Sequence, residues 1–147
     1  MAYRTISPDE AAAGMAGGGG TIYLDVRSRK EFAAGHPKGA INIPIMEPNA
    51  WGQLSLNEEF LQVVEKLLPK DAKLVIGCLS GKRSEAACQI LAESGYTDLA
   101  NVRGGFGGAK DMLGRVSQPG WIQLGLPVSQ DNGDGVSYES LKKKALG

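Results

Sequence analysis

Residues 74–86 have the sequence LVIGCLSGKRSEA, in which an apolar run of strand length ends at a single cysteine and a helix begins soon afterwards. The six residues 78–83 form the connection. A short loop between a buried strand and a helix directs its backbone N–H groups at whatever lies in its mouth, which here is the sulfur of Cys78. We therefore predict that this loop holds a thiolate nucleophile.

The loop residues that follow Cys78 are suited to stabilising a negatively charged sulfur. A helix N-terminus and nearby cations both favour the thiolate, and Lys82 and Arg83 supply two positive charges. Gly81 tolerates a positive φ, which a loop that curls around its own first side chain requires. The alternative is that Cys78 is a small core residue, since free cysteine is among the most buried residue types. The cationic, glycine-containing loop favours the nucleophile.

The composition bounds the class of protein. The chain has 147 residues, enough for one domain with a proper core. Its 16 basic and 16 acidic residues balance, which argues against nucleic acid or a membrane as a partner. We expect a cytoplasmic protein with free thiols, because the sequence shows neither a signal peptide nor a run that spans a bilayer. One histidine and two cysteines without zinc-ligand spacing predict no metal site, and we expect no cofactor.

Strands and helices alternate along most of the chain. Four apolar, β-rich runs predict strands, at residues 21–26, 40–44, 74–77 and 99–102. Helices are predicted from capping boxes that begin at Ser7 and Ser28, and from amphipathic patterns over residues 58–68 and 84–94. This alternation predicts an α/β fold with a mainly parallel central sheet and helices on both faces.

Polar and glycine residues follow the predicted strands, and the carboxyl ends of parallel strands meet at one edge of a sheet. Asp25 is an acid within an apolar strand, with Arg27 two residues later. A carboxylate there is costly unless it is paired, so we predict a structural pairing rather than direct catalysis. Residues 104–108, GGFGG, predict a close backbone approach to the site and lead towards a helix. Their spacing makes a dinucleotide loop the less favoured alternative.

Four further features are interpreted as structural or left open. Cys88 lies near the inward face of the second amphipathic helix, so core filling is favoured over a resolving thiol. His36, in a turn, is predicted to be a hydrogen-bonding fixture. Residues 46–57 are predicted to be irregular, with Trp51 as either a lid residue or part of a satellite core. Residues 1–128 are predicted to form the domain, and residues 129–147 a mobile linker and a short C-terminal helix or tail.

Several motifs occur in this sequence in the same order as in the single-domain rhodaneses, a family of sulfurtransferases. They are LDVR at residues 24–27, EF at 31–32, GH at 35–36, GAINIP at 39–44, CLSGKR at 78–83 and GGF at 104–106. The chain resembles this family from about residue 5 to about residue 128, nearly its whole length. Residues 107–110 lack the tryptophan that many single-domain members carry, and the CLSGKR loop differs from those of the best-known thiosulfate enzymes.

The resemblance implies a rhodanese-like three-layer fold and a sulfurtransferase activity. By that resemblance Cys78 is the nucleophile and carries sulfur as a persulfide. The substrate-binding residues would be those of the rest of the loop, Leu79, Ser80, Gly81, Lys82 and Arg83. Asp25 and Arg27 resemble the supporting pair of the family. The implied partners are a small anionic sulfur donor, such as thiosulfate, and a thiol, cyanide or protein acceptor.

Two other functions stay open. The first is a phosphatase or arsenate reductase of the same fold. Related phosphatases have one more residue between cysteine and arginine, so the four residues between Cys78 and Arg83 favour sulfur. The second is a non-catalytic module that binds a protein or delivers sulfur to one. The presence of Cys78 argues against an inactive module but not against delivery to a protein acceptor.

Overall fold

The computed structural model describes residues 2–147. Its helices are α1 (Pro8–Ala16), α2 (Arg29–Ala34), α3 (Phe60–Leu67), α4 (Lys82–Glu93) and α5 (Tyr138–Leu146). Its strands are β1 (Arg4–Ile6), β2 (Ile22–Asp25), β3 (His36–Pro37), β4 (Ile41–Asn42), β5 (Met46–Pro48), β6 (Leu54–Leu56), β7 (Leu74–Gly77), β8 (Leu99–Val102), β9 (Ala109–Lys110), β10 (Val116–Gln118) and β11 (Val128–Ser129). None of the helices within residues 2–147 has the length and hydropathy needed to cross a membrane.

The central sheet has the strand order β1-β8-β7-β2-β4, and every neighbouring pair is parallel. The predicted parallel sheet is therefore confirmed. Asp25 pairs in register with Gly77, and Ile76 pairs with Asn101, so the carboxyl ends of β2, β7 and β8 lie at one edge. Strand β1 was not predicted from the sequence, because this short edge strand is mostly exposed and has no apolar run.

Two hydrophobic clusters lie on opposite faces of this sheet, and the residues of β7 alternate between them. Leu74 and Ile76 belong to the cluster that contains the buried side chains of α3, α4 and α5. Val75 belongs to the cluster that contains Ala11 of α1 and Phe32 of α2. The sheet therefore separates two helical layers, which confirms the predicted three-layer α/β architecture.

Local signals account for the helix starts that position the site. Ser7 and Ser28 each accept a hydrogen bond from the backbone of the glutamate three residues later, and both capping boxes are complete. Helix α4 begins two residues earlier than predicted, because Gly81 at its N-cap has a φ of 112°. Lys82 and Arg83 consequently lie in the first turn of α4 rather than in the loop before it.

Two hairpins replace segments that were predicted differently. Residues 46–57 form β5 and β6, and the Asn49 side chain accepts hydrogen bonds from Trp51 and Gln53 in the turn between them. Trp51 is 85% exposed, so it is not part of a satellite core. The prediction of a helix after residues 104–108 is also wrong, because β9 and β10 follow these residues. There Asp111 accepts two backbone N–H groups and organises a tight turn that a helix could not contain.

The C-terminal segment packs against the rest of the chain. Strand β11 pairs with β3, and α5, the expected short helix, buries Tyr138 and Leu141 in the same cluster as α3 and α4. The two ring nitrogens of His36 lie 3.0 Å from the carbonyl oxygen of Pro37 and 2.6 Å from that of Asp131. His36 is thus a hydrogen-bonding fixture, as predicted, and it ties the linker to the fold. The domain boundary at residue 128 stays a prediction.

Candidate active site

Cys78 is the first residue after β7, at the sheet edge where the parallel strands end. Its side chain is 1% exposed, and its sulfur is 3.1 Å from the backbone nitrogen of Gly81, whose N–H donates to it. The left-handed backbone of Gly81 brings this N–H back onto the first side chain of the loop. The sulfur therefore lies at the N-terminus of α4, where the helix dipole favours a negative charge.

The other N–H groups of the loop and of the first two residues of α4 are available to a ligand. Those of Leu79, Ser80, Lys82 and Arg83 have no hydrogen-bond partner within residues 2–147. Leu79 is exposed and Ser80 is partly buried. A group of unpaired N–H donors around a helix N-terminus is a general anion-binding arrangement. The loop can therefore hold an anion next to the Cys78 sulfur.

The glycine turn after β8 contacts the backbone of this loop. The Phe106 N–H donates to the carbonyl oxygen of Cys78 at 2.7 Å, and the Gly107 N–H donates to that of Leu79 at 2.9 Å. A Cβ atom at Gly105, where φ is 54°, would lie 2.3 Å from the Cys78 carbonyl oxygen. Only glycine fits here, which confirms the predicted close backbone approach.

Arg83 forms a bidentate ion pair with Glu31 of α2, with distances of 2.7 and 2.9 Å. Burial raises the pKa of Glu31, but the hydrogen bonds and positive charge of Arg83, with the hydrogen bonds from Ser28, outweigh this and lower the pKa to about 2. The same pairing raises the pKa of Arg83. Arg83 thus connects the loop to α2, and its contact with substrate stays a prediction.

Lys82 differs from Arg83 in its surroundings. Its side chain is exposed at the start of α4, and within residues 2–147 no carboxylate lies at ion-pair distance from it. It is therefore an exposed positive charge on a flexible stem, suited to attracting an anion rather than to fixing its geometry.

Asp25 and Arg27 form a buried ion pair next to this site, 2.8 Å apart. The Arg27 guanidinium also donates to the carbonyl oxygen of Gly35 at 2.7 Å and stacks over the Phe106 ring at 4.4 Å. These contacts connect β2 to α2 and to the glycine turn. Both residues lie beside the nucleophile loop, and their role as supporting residues stays a prediction.

Two polar residues that were not predicted as site residues, Ser84 and Asn101, lie near the sulfur. Ser84 Oγ is 3.4 Å from Cys78 Sγ, and it also contacts the Asn101 side chain. Both residues are buried. Ser84 lies within the same stretch as Cys78, and Asn101 is a polar residue in an apolar strand. A polar residue within an apolar strand is also the feature that identified Asp25 in the sequence.

Cys88 lies in the hydrophobic core and is fully buried. Burial, followed by the charge of Glu85 and the neighbouring Cys78, raises the pKa of its thiol to about 12. Both cysteines are free. A neutral, buried thiol is unreactive, which agrees with the predicted core-filling role.

A cavity of about 490 Å³ lies beside the loop. It is lined by Arg27, Glu31, Ala34, Gly35, Leu79, Phe106, Ile122 and Val128. Its two charged residues, Arg27 and Glu31, are each held in an ion pair. Within residues 2–147 no cluster of three or more histidine, cysteine or acidic side chains could hold a metal ion.

Comparison with known proteins identifies the family. A family model described as a rhodanese-like domain matches residues 7–111. The chain is 41% identical over 109 residues to thiosulfate sulfurtransferase 16, chloroplastic, of Arabidopsis thaliana, which covers 74% of this chain and 80% of that protein. It is 32% identical over 128 residues to thiosulfate sulfurtransferase GlpE of Haemophilus influenzae, which covers 87% of this chain and 96% of that protein.

Other matches are partial or structural. Protein HIGH ARSENIC CONTENT 1, mitochondrial, of Arabidopsis thaliana is 40% identical over 87 residues, 59% of this chain and about half of that protein (51%). The crystal structure of Rv0390 from M. tuberculosis superposes with a TM-score of 0.72 at 27% identity, covering 88% of this chain and 99% of that chain. The family model, the relatives and the shared fold agree, and the chain belongs to the rhodanese-like domain family.

Proposed function

We propose that this protein is a sulfurtransferase that takes a sulfane sulfur from a small anionic donor, carries it on Cys78 and passes it to a thiophilic acceptor. The observation that supports this most is the hydrogen bond from the Gly81 N–H to the Cys78 sulfur, within a loop whose other N–H groups are unpaired in residues 2–147. A sulfur in that position is stabilised as a thiolate and has anion-binding groups beside it. The names of two relatives refer to thiosulfate sulfurtransferase.

The first half of the reaction forms the persulfide. The Cys78 thiolate attacks the outer sulfur of thiosulfate, a new S–S bond forms at Cys78, and the S–S bond of thiosulfate breaks. The electron pair of that bond leaves with sulfite. The unpaired loop N–H groups stabilise the negative charge on the outer sulfur of the persulfide, and Lys82 attracts the anionic donor.

The second half returns the enzyme to its starting state. An acceptor such as cyanide or a thiol attacks the outer sulfur, and the S–S bond at Cys78 breaks. The electron pair of that bond returns to the Cys78 sulfur as a thiolate. The enzyme is thus modified and regenerated in turn, which predicts ping-pong kinetics. No cofactor is needed, because both steps exchange one sulfur between nucleophiles.

Thiocyanate formation from thiosulfate and cyanide tests the proposal. Cys78→Ser should abolish it, whereas Cys88→Ser should retain it, because the Cys88 thiol is buried and neutral. Full activity of Cys78→Ser would refute the assignment. The alternatives are tested with the same preparation: faster turnover of an aryl phosphate, or reduction of arsenate, would favour the phosphatase or arsenate reductase.

Arg83→Ala tests whether Arg83 also contacts the donor. We expect it to raise the KM for thiosulfate more than it lowers kcat. Glu31→Gln is the matched control, since it breaks the same ion pair and leaves the guanidinium in place. Equal effects of the two variants on KM would restrict Arg83 to connecting the loop and α2.

A further inference from the structure

The Ser84 hydroxyl is surrounded by three groups that can accept its proton. Its oxygen lies 3.4 Å from Cys78 Sγ, 3.1 Å from the Gly81 carbonyl oxygen and 2.5 Å from Asn101 Oδ1. Ser84 is 0% exposed and Asn101 is 2% exposed. A hydroxyl has one proton, so Ser84 can fully satisfy only one of these acceptors at a time.

The charge on the Cys78 sulfur decides which acceptor is strongest. In the thiol and the persulfide Sγ is neutral, and Ser84 donates its proton to Asn101 Oδ1 or to the Gly81 carbonyl oxygen. In the thiolate Sγ is an anion, and a hydrogen bond to a charged partner is stronger than one to a neutral partner. The hydroxyl then turns to the sulfur. No proton leaves Ser84 in either state.

Asn101 must follow this change. When Ser84 donates to the sulfur, an amide oxygen of Asn101 would face the Ser84 oxygen with no proton between them. A half-turn of the carboxamide places Nδ2 there, and its N–H donates to Ser84 Oγ. In the observed orientation Nδ2 has no hydrogen-bond partner within residues 2–147, so the turn breaks no other hydrogen bond.

We propose that Asn101 is a positioning residue that sets the direction of the Ser84 hydroxyl, so that Ser84 donates to Cys78 whenever this sulfur is an anion. The inference rests on the proposed function, in which the sulfur is an anion twice, first as nucleophile and then as leaving group. Within residues 2–147 Asn101 makes no hydrogen bond to the Cys78 sulfur, and it acts through Ser84.

Other ionisable groups near the sulfur do not replace this donor. The ionisable groups around Cys78 come from β2, the residues after it, α2 and α4, and they are Tyr23, Asp25, Arg27, Glu31, Lys82, Arg83, Glu85 and Cys88. Burial raises the pKa of Tyr23 well above its usual value, and that of Cys88 to about 12, so both stay neutral near neutral pH. Arg27 and Arg83 are held by carboxylates.

The test is the pH dependence of Cys78 alkylation by iodoacetamide, followed by mass spectrometry without any sulfur donor. Ser84→Ala should move the alkylation midpoint up by about one pH unit, the value of one hydrogen bond to a charged group. Ser84→Thr should restore the midpoint. Ser94→Ala is the matched control and should not move it, because Ser94 is the C-cap residue of the same helix and its hydroxyl donates to the Ile90 carbonyl oxygen.

A double-mutant cycle separates Asn101 from a merely structural residue. Asn101→Leu should raise the midpoint by less than Ser84→Ala does, and it should have no further effect in the Ser84→Ala background. The proposal would be overturned if Asn101→Leu shifted the alkylation midpoint equally in the presence and in the absence of Ser84. It would also be overturned if Ser84→Ala alone left the midpoint unchanged. If Asn101→Leu does not fold, Asn101→Asp keeps the shape and lacks the N–H donor. Asn101→Asp should then shift the alkylation midpoint more when Ser84 is present than in the Ser84→Ala background. An equal shift in these two backgrounds would refute the inference.

This experiment is independent of sulfur transfer. Alkylation requires only the thiolate, so the midpoints test the link between Asn101 and Ser84 whether or not thiosulfate is a substrate. Absence of thiocyanate formation in the unmodified protein, with the expected midpoints intact, would refute the proposed function alone.

Discussion

Replacing Glu31 with glutamine tests how strongly the ion pair with Arg83 holds the nucleophile loop. The pKa of Glu31 is lowered from 4.5 to about 2, and each unit of pKa corresponds to about 1.4 kcal/mol. The upper limit is therefore about 3 kcal/mol at neutral pH. Because the Glu31 side chain is 29% exposed, solvent screening reduces this, and we expect Glu31→Gln to cost about 1.5 kcal/mol.

The sign of the pH dependence follows from the lowered pKa. The pair stabilises the folded protein fully above the unfolded pKa of Glu31, 4.5, and this stabilisation is lost as the pH falls through the folded pKa of about 2. For a chain of this length about 1 kcal/mol corresponds to about 2–4 °C in Tm, so the variant should melt about 3–6 °C lower at neutral pH. Near pH 3 the difference should fall to less than half.

Thermal unfolding of both proteins from neutral pH to about pH 3 measures this. Glutamine at position 31 retains the capping box of α2, so the substitution removes the charge and not the cap. Glu10→Gln is the matched control, because Glu10 has the same position in the capping box of α1 and, within residues 2–147, no arginine partner. A difference in Tm that does not change with pH, or an equal loss in Glu10→Gln, would refute the reasoning.

Substitutions at three further positions test the packing of the site and of the core. Gly105→Ala should destabilise the protein by about 2–4 kcal/mol and slow Cys78 alkylation, because the new Cβ would displace the loop; unchanged melting and alkylation would contradict this. Cys88→Ala should lower stability by about 1 kcal/mol and leave the alkylation rate of Cys78 as it is, and a changed rate would mean that Cys88 acts on the site. Tyr138→Ala should lower the free energy of unfolding by about 3 kcal/mol and Tyr138→Phe by about 1 kcal/mol, as measured by urea unfolding. Equal losses would show that Tyr138 holds α5 only through the hydrogen bond from Asn57.

The sequence predicted the features that depend on neighbouring residues. The strand, the cysteine and the helix around Cys78 lie within residues 74–86, and each has a local signal. The ion pair between Arg83 and Glu31 joins residues 52 positions apart, and only the fold shows that α2 lies against the loop. The capping box at Ser28 was predicted from the sequence, but the ion pair that its glutamate, Glu31, forms with Arg83 was not.

The polar residues of the strands show the same limit. Asp25 was noticed because an acid in an apolar strand needs a partner, and Arg27 was near in sequence. Asn101 gave a similar signal, yet its partner Ser84 lies 17 positions earlier, on a helix packed against β8. The hairpin after residue 108 was missed for a different reason, since a glycine-rich segment is compatible with either a helix start or a turn, and Asp111 decides for the turn.

The central claim is that Cys78 carries one transferable sulfur, and the intact mass of the protein tests it most directly. After incubation with thiosulfate and removal of the donor, the mass should increase by that of one sulfur atom, and cyanide should restore the original value while thiocyanate forms. Peptide mapping should place the extra sulfur on Cys78, and Cys78→Ser should gain no mass. An unchanged mass, or an added sulfur that persists in Cys78→Ser, would contradict the account.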